Sequence, residues 1–247
     1  MSISFGAKAV VMAAASAVSG EFDFSTLGLT CDLDGRAGIT VTGAGVSDWQ
    51  DQGTANKDAA QTVDADRPAN GGDVLGKNAL IFDDANTEYL DWNHNMAAAG
   101  TIFVVGQVGA APNNNGDSIL GSGANNVTSP GVEIRHHTNT EINMRISDGT
   151  SRLSAGNITL GAGANFIIGI RWDGSSFGVR VNGNTEQSSG HSLGSLGTTA
   201  FDIGKTQGSS AHWDGEITRI LCAPSSRLND TDFATAFTQL NNIYGAF

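Results

Sequence analysis

Residues 165–187, Asn-Phe-Ile-Ile-Gly-Ile-Arg-Trp-Asp-Gly-Ser-Ser-Phe-Gly-Val-Arg-Val-Asn-Gly-Asn-Thr-Glu-Gln, restrict the fold more than any other stretch. Ile168, Ile170 and Trp172 recur at every second position, with Gly169 and Arg171 between them. That period is the period of a strand with one buried face, so Trp172 is expected in the core. Asp173-Gly174 supplies turn chemistry, after which Phe177, Val179 and Val181 repeat the alternation against Gly178 and Arg180. Asn182-Gly183 then predicts a type I′ hairpin, whose two central residues both need φ > 0. Three successive antiparallel strands with one apolar face make half of a β-sandwich.

The rest of the chain agrees with that half. Its 247 residues include 33 glycines and only 15% charged side chains, the composition of a turn-rich chain of short strands. Leu27, Leu29, Cys31 and Leu33 alternate, as do Val132 and Ile134, and Ile142, Met144 and Ile146. Thr101–Val108 is nearly continuous in apolar residues and predicts a strand buried on both faces. Pairing across the His137–Glu141 loop would set Glu133 opposite Arg145 on an outer face, a pair worth at most about 1 kcal/mol. Residues 43–78 read as a long polar loop anchored by Trp49. At the end, Asn229-Asp-Thr-Asp232 offers helix caps, and Phe233, Phe237, Leu240 and Tyr244 follow with helical spacing, predicting about four turns closed by Gly245. The total is roughly eleven to thirteen strands and one helix.

Formal net charge is −12. Such a surface repels phosphates, which argues against a nucleic-acid partner. No apolar run approaches the roughly 20 residues of a membrane helix, so no membrane partner is expected. Cys31 and Cys222 read as two buried thiols, with pairing open if the terminal strands are neighbours. Residues 1–20 are Ala-rich and almost uncharged. They are compatible with a weak signal peptide, with an arm docking through Phe5, Val10, Val11 and Met12 onto a neighbouring subunit, or with an arm packed on its own domain.

Taken in order, these landmarks resemble the concanavalin A-like lectin/glucanase superfamily, and within it the laminin-G-like jelly rolls of phage and bacterial surface proteins. The residues that carry the resemblance are Val46-Ser-Asp-Trp-Gln-Asp51, Gln61 ahead of Arg67-Pro68, and Ala79-Leu-Ile-Phe-Asp83 with Tyr89-Leu90. They continue with Thr101-Ile-Phe-Val-Val105, Arg171-Trp-Asp-Gly174 with Val181-Asn-Gly183, Trp213-Asp-Gly-Glu-Ile217 and the segment 228–244. The resemblance implies an all-β, two-sheet antiparallel jelly-roll sandwich over residues 26–247, with one C-terminal α-helix. Residues 1–25, the N-terminal arm, have no counterpart in it.

Fold does not settle function. The superfamily's glucanases carry their carboxylates as Glu-x-Asp-x-x-Glu. Here Glu21-Phe-Asp23 begins that pattern, but Thr26 interrupts it, and no strand offers two inward carboxylates for glycoside hydrolysis. No nucleophile elbow or metal-ligand spacing of the five histidines appears, and His136-His137 reads as a solvated pair at a hairpin end. The chain is therefore expected not to be an enzyme. No cofactor is expected, although Asp83, Asp84 and Asn86 are hard ligands that could hold Ca2+ at a loop rim, against the plainer reading that they make a turn. For glycan contact the candidates are Trp92, Asn93 and His94 together with His212, Trp213 and Asp214, rings for stacking beside polar partners.

Two functions follow from the resemblance. The first is a bacteriophage virion structural protein, such as a capsid decoration or surface accessory protein, anchored by its arm. Its partners would be other virion proteins and copies of itself, and its place the surface of the extracellular particle. The alternative is a lectin-like carbohydrate-binding module that adheres to host or environmental polysaccharide, as a tail or fibre component.

Overall fold

A computed structural model of the chain describes residues 21–109, 117–123, 128–138, 140–206 and 212–247. The proposed docking residues Phe5, Val10, Val11 and Met12 lie outside the described residues. Among those described, the period-two stretches become seventeen strands. The first eight are Cys31–Asp34 (β1), Ile39–Thr42 (β2), Gly45–Trp49 (β3), Ala59–Ala60 (β4), Ala69–Val74 (β5), Lys77–Phe82 (β6), Leu90–Asn95 (β7) and Gly100–Val108 (β8). Then come Ser118–Gly121 (β9), Gly131–Thr138 (β10), Glu141–Ser147 (β11), Arg152–Thr159 (β12) and Asn165–Trp172 (β13). Ser176–Val181 (β14), Gln187–Gly190 (β15), Ala200–Ile203 (β16) and Gly215–Ala223 (β17) complete the set, and Asp230–Tyr244 forms the helix α1.

The strands build two antiparallel sheets. One runs β15-β14-β13-β8-β17-β6-β5, with β1 added on β17; the other runs β12-β11-β10-β9-β16-β7-β4-β3-β2. This is the sandwich expected from the sequence. Residues 43–78 are a correction: they contain β3, β4, β5 and the start of β6 rather than one loop. Their apolar residues are too few and too short-spaced to show a period, and pairing with neighbours makes them strands all the same. Trp49 is fully buried there, as its anchor role requires. Phe24, within the stretch read as the arm, is also buried and belongs to the core under the helix.

Between the sheets lies one large core that includes Trp49, Trp92, Trp172 and Trp213. Ile168, Ile170 and Trp172 of β13 face it, and Phe177, Val179 and Val181 of β14 stand opposite in register. The turn after β14 differs from expectation in detail. Asn182 takes φ +52°, but Gly183 is not among the residues at positive φ, so the turn is not type I′.

The other face of the first sheet packs a second core under α1, with Phe103, Val105 and Ile167 against Phe233, Phe237 and Leu240. The helix matches its sequence signals. Asn229 caps the Asp232 amide at 2.9 Å, and Gly245 closes the last turn at φ +64°. β1 pairs with β17 so that Cys31 faces Cys222 in register, and both are buried free thiols. No helix of the described residues is long and apolar enough to cross a membrane.

Candidate functional site

The outer faces of the two sheets are dressed differently. Where the first sheet wears a helix, the second carries polar side chains on β10, β11 and β12. Alternation sends Val132, Ile134, Ile142, Met144 and Ile146 into the core, which leaves Glu133, Arg135, Asn143, Arg145 and Ser147 outside. Strand register then sets them side by side. Arg145 opposes Glu133 on one flank and Ser154 on the other, while Asn143 opposes Arg135. The row continues from Glu133 to Gly121, then to Asp202 and Asp91.

Outer faces of sheets are ordinarily wet, and around Glu133 this one is not. Glu133 is 1% exposed, Asn143 3% and Arg145 9%. Glu133 Oε2, Asn143 Oδ1 and Arg145 Nε have no hydrogen-bond partner. A buried polar atom without a partner costs about 1–3 kcal/mol, so three together call for an explanation. The Glu133–Arg145 pair found by register is real but loose, at 3.9 Å. It is a buried pair rather than the solvated one expected, and burial pushes the Glu133 carboxyl up to about 7 against the pull of Arg135, a Ser118 hydrogen bond and Arg152. Burial also lowers Arg135.

Next to this buried group runs the edge strand β12, where Ser154, Asn157 and Thr159 are exposed. A bulge there sets Asn143 opposite Gly156 and brings Asn157 Oδ1 to 3.4 Å from Asn143 Nδ2. Beside it lies an open groove of about 600 Å3, between Asn157 and Thr159 on one wall and Asn184, Thr185 and Gln187 on the other. Chemically, the groove offers amides and hydroxyls, and the buried face beside it holds a guanidinium and a carboxyl that burial pushes up to about 7. That set donates and accepts hydrogen bonds to a hydroxyl-rich ligand.

The residues singled out from the sequence are placed otherwise. Trp92 and Trp213 were expected to stack on sugar rings, and both are buried. Trp92 donates to Lys57 O at 2.7 Å and packs on Phe201, while Trp213 sits between Phe82 and Phe166, each 6.0 Å away. The physical reason is period two: Leu90, Trp92 and His94 share the inward face of β7. His94 stacks on Phe201 at 5.0 Å and burial pushes it down to about 4. Asn93 is exposed, and His212 and Asp214 are half-buried. His136 is likewise buried, its Nε2 2.9 Å from Leu160 O, and not the solvated residue expected. Asp83, Asp84 and Asn86 make a single 3-10 turn. Asp83 accepts from Ala85 N at 2.9 Å and from Asn86 Nδ2 at 2.8 Å, so its oxygens serve the turn. No group of three or more His, Cys, Asp or Glu that could hold a metal ion occurs among the described residues.

The recess itself was half legible. Glu133 opposite Arg145 followed from strand pairing. Asn143 and Arg135 carry no sequence signal of their own, because nothing local marks an outer face that becomes buried.

No protein-family model matches this chain, and no curated protein does. Solved structures do. The chain is similar to Trypanosoma rangeli sialidase in complex with the inhibitor DANA, with 17% identity and a TM-score of 0.57 over 84% of this chain and 32% of the sialidase. The same sialidase in complex with 2,3-difluorosialic acid gives 17% identity and a TM-score of 0.55 over 87% of this chain and 33% of that one. The CBM40 of Ruminococcus gnavus IT-sialidase, bound to alpha2,6 sialyllactose, gives 14% identity and a TM-score of 0.46 over 57% of this chain and 84% of that one. The chain thus spans about a third of the sialidase's length. The sialidase likeness concerns the fold, a β-sandwich related to the concanavalin A-like, jelly-roll class expected from the sequence.

The likeness overturns one expectation, that the chain is not an enzyme. Trypanosoma rangeli sialidase, whose structure shares the sandwich, is an enzyme. The fault lay in the criterion: glycoside hydrolysis does not always run on two facing carboxylates, so the lack of such a pair never excluded it.

Proposed function

We propose that this chain is a carbohydrate-binding β-sandwich that holds glycan in the recess of β10–β12 and the groove beside it. One observation carries the reading. Glu133 Oε2, Asn143 Oδ1 and Arg145 Nε are buried on the outer face of a sheet without partners, next to a groove lined by amides and hydroxyls. Sugar hydroxyls donate and accept at once, so they suit a lining in which a guanidinium N–H, a carboxyl oxygen and an amide oxygen each lack a hydrogen-bond partner. Sites that hydrogen-bond buried polar groups to a ligand discriminate strongly against ligands lacking them.

A glycan panel immobilised on a surface, followed by calorimetry on any glycan retained, tests this. The wild-type chain should retain at least one glycan. Arg145→Gln and the exposed-wall variant Asn184→Ala should weaken it about tenfold or more, near 1.4 kcal/mol. Asn184 is exposed, so its variant keeps the fold. A panel without a retained glycan, or two variants that bind as the wild type does, would sink the reading.

A further inference from the structure

Cys31 and Cys222 stand near opposite ends of the sequence, yet they are registered partners across β1 and β17. Directly opposed residues of an antiparallel pair have Cα atoms about 4.5–5.5 Å apart. That lies inside the window of about 4.4–6.8 Å that a disulfide spans. Both side chains point into the same core, with Leu33 and Ile220 beside them, and both are fully buried. Both thiols are free.

We propose that Cys31 and Cys222 close a cross-strand disulfide when the chain folds under oxidising conditions, making the pair a redox-set staple between the first and last strands. The oxidant is a low-molecular-weight disulfide such as oxidised glutathione. The thiolate of one cysteine attacks it, forming a mixed disulfide and releasing one small thiol. The second cysteine attacks the mixed disulfide, forming the Cys31–Cys222 bond and releasing the second thiol. The protein loses two S–H hydrogens as protons and two electrons, and the external disulfide is reduced to two thiols.

Burial dictates the timing. In the closed fold neither sulfur is reachable, and the neighbouring Cys222 together with burial raises the Cys31 thiol. Exchange needs an accessible thiolate, so the bond forms before β1 docks, and the reduced native protein resists oxidation. β1 is also the strand with most to gain. It lies off the main path of its sheet and leans on β17. A bond between residues so far apart in sequence restricts the unfolded chain strongly.

The experiment takes the full chain, unfolds it with reductant, and refolds it either in a glutathione redox buffer or in dithiothreitol. The product from the redox buffer should be lighter by about 2 Da, the two hydrogens lost. Its Cys31 and Cys222 peptides should be linked, and it should melt several degrees above the reduced product. Native reduced protein moved into the same buffer should still take up two alkyl groups once denatured. Cys31→Ala should give no linkage, and the wild-type masses decide the matter even where that variant folds poorly. A redox-refolded product that takes up two alkyl groups overturns the proposal, as does a linked product that melts no higher than the reduced one. Oxidation of the native protein as fast as the unfolded chain overturns the timing.

Discussion

A Cβ built on Gly169 would stand 2.6 Å from Phe237 and 2.9 Å from both Phe103 and Phe233. The missing side chain is what lets α1 lie close on β13, and aromatic rings in a packed core have little room to retreat. Gly169→Ala should destabilise the chain by about 1–3 kcal/mol through overpacking, read by denaturant unfolding; an unchanged midpoint would show that the helix shifts freely. At the same scale, burial lifts Glu133 from 4.5 to about 7. Between those values the folded state binds more protons than the unfolded chain, so stability falls as pH rises through the window, by at most about 3 kcal/mol. Denaturant unfolding at pH 5 and pH 8 should show wild type losing more stability on the way up than Glu133→Gln does. Equal losses would mean that this carboxyl titrates normally.

At the scale of elements, Arg171 ties β13 to the loop before β15 and to the start of α1. From β13 its Nε donates to Glu186 at 2.9 Å and its Nη1 to Leu228 O at 2.9 Å, and its Nη2 reaches Asp230 at 2.6 Å in the first turn of α1. The guanidinium also lies 4.5 Å over the Phe233 ring. The Asp230 side chain is 90% exposed. Water can therefore solvate it once the guanidinium is gone, which limits the cost. Arg171→Met should lose about 1–3 kcal/mol. Hydrogen exchange should quicken first in the opening turn of α1; uniform loss of protection across the sandwich would mean that Arg171 does not act as a local clamp. Sequence periodicity marked Arg171 only as outward-facing, because the helix it meets lies 59 residues further along to Asp230.

For the whole molecule, the decisive asymmetry is between two outer sheet faces, one covered by α1 and the other carrying the polar recess. The sequence by itself determined the sandwich class, the core faces of β13 and β14, the helix with its caps and the Glu133–Arg145 opposition. Each rests on local periods and turn chemistry, which a strand or helix must show whatever surrounds it. Only the tertiary structure decided that Trp92 and Trp213 are core rings. It also turned residues 43–78 into strands, set Cys31 against Cys222 and buried Asn143 Oδ1 and Arg145 Nε without hydrogen-bond partners. Those facts depend on which distant strands become neighbours. The pairing energy that selects them is summed over the whole of two sheets, so no local stretch records it.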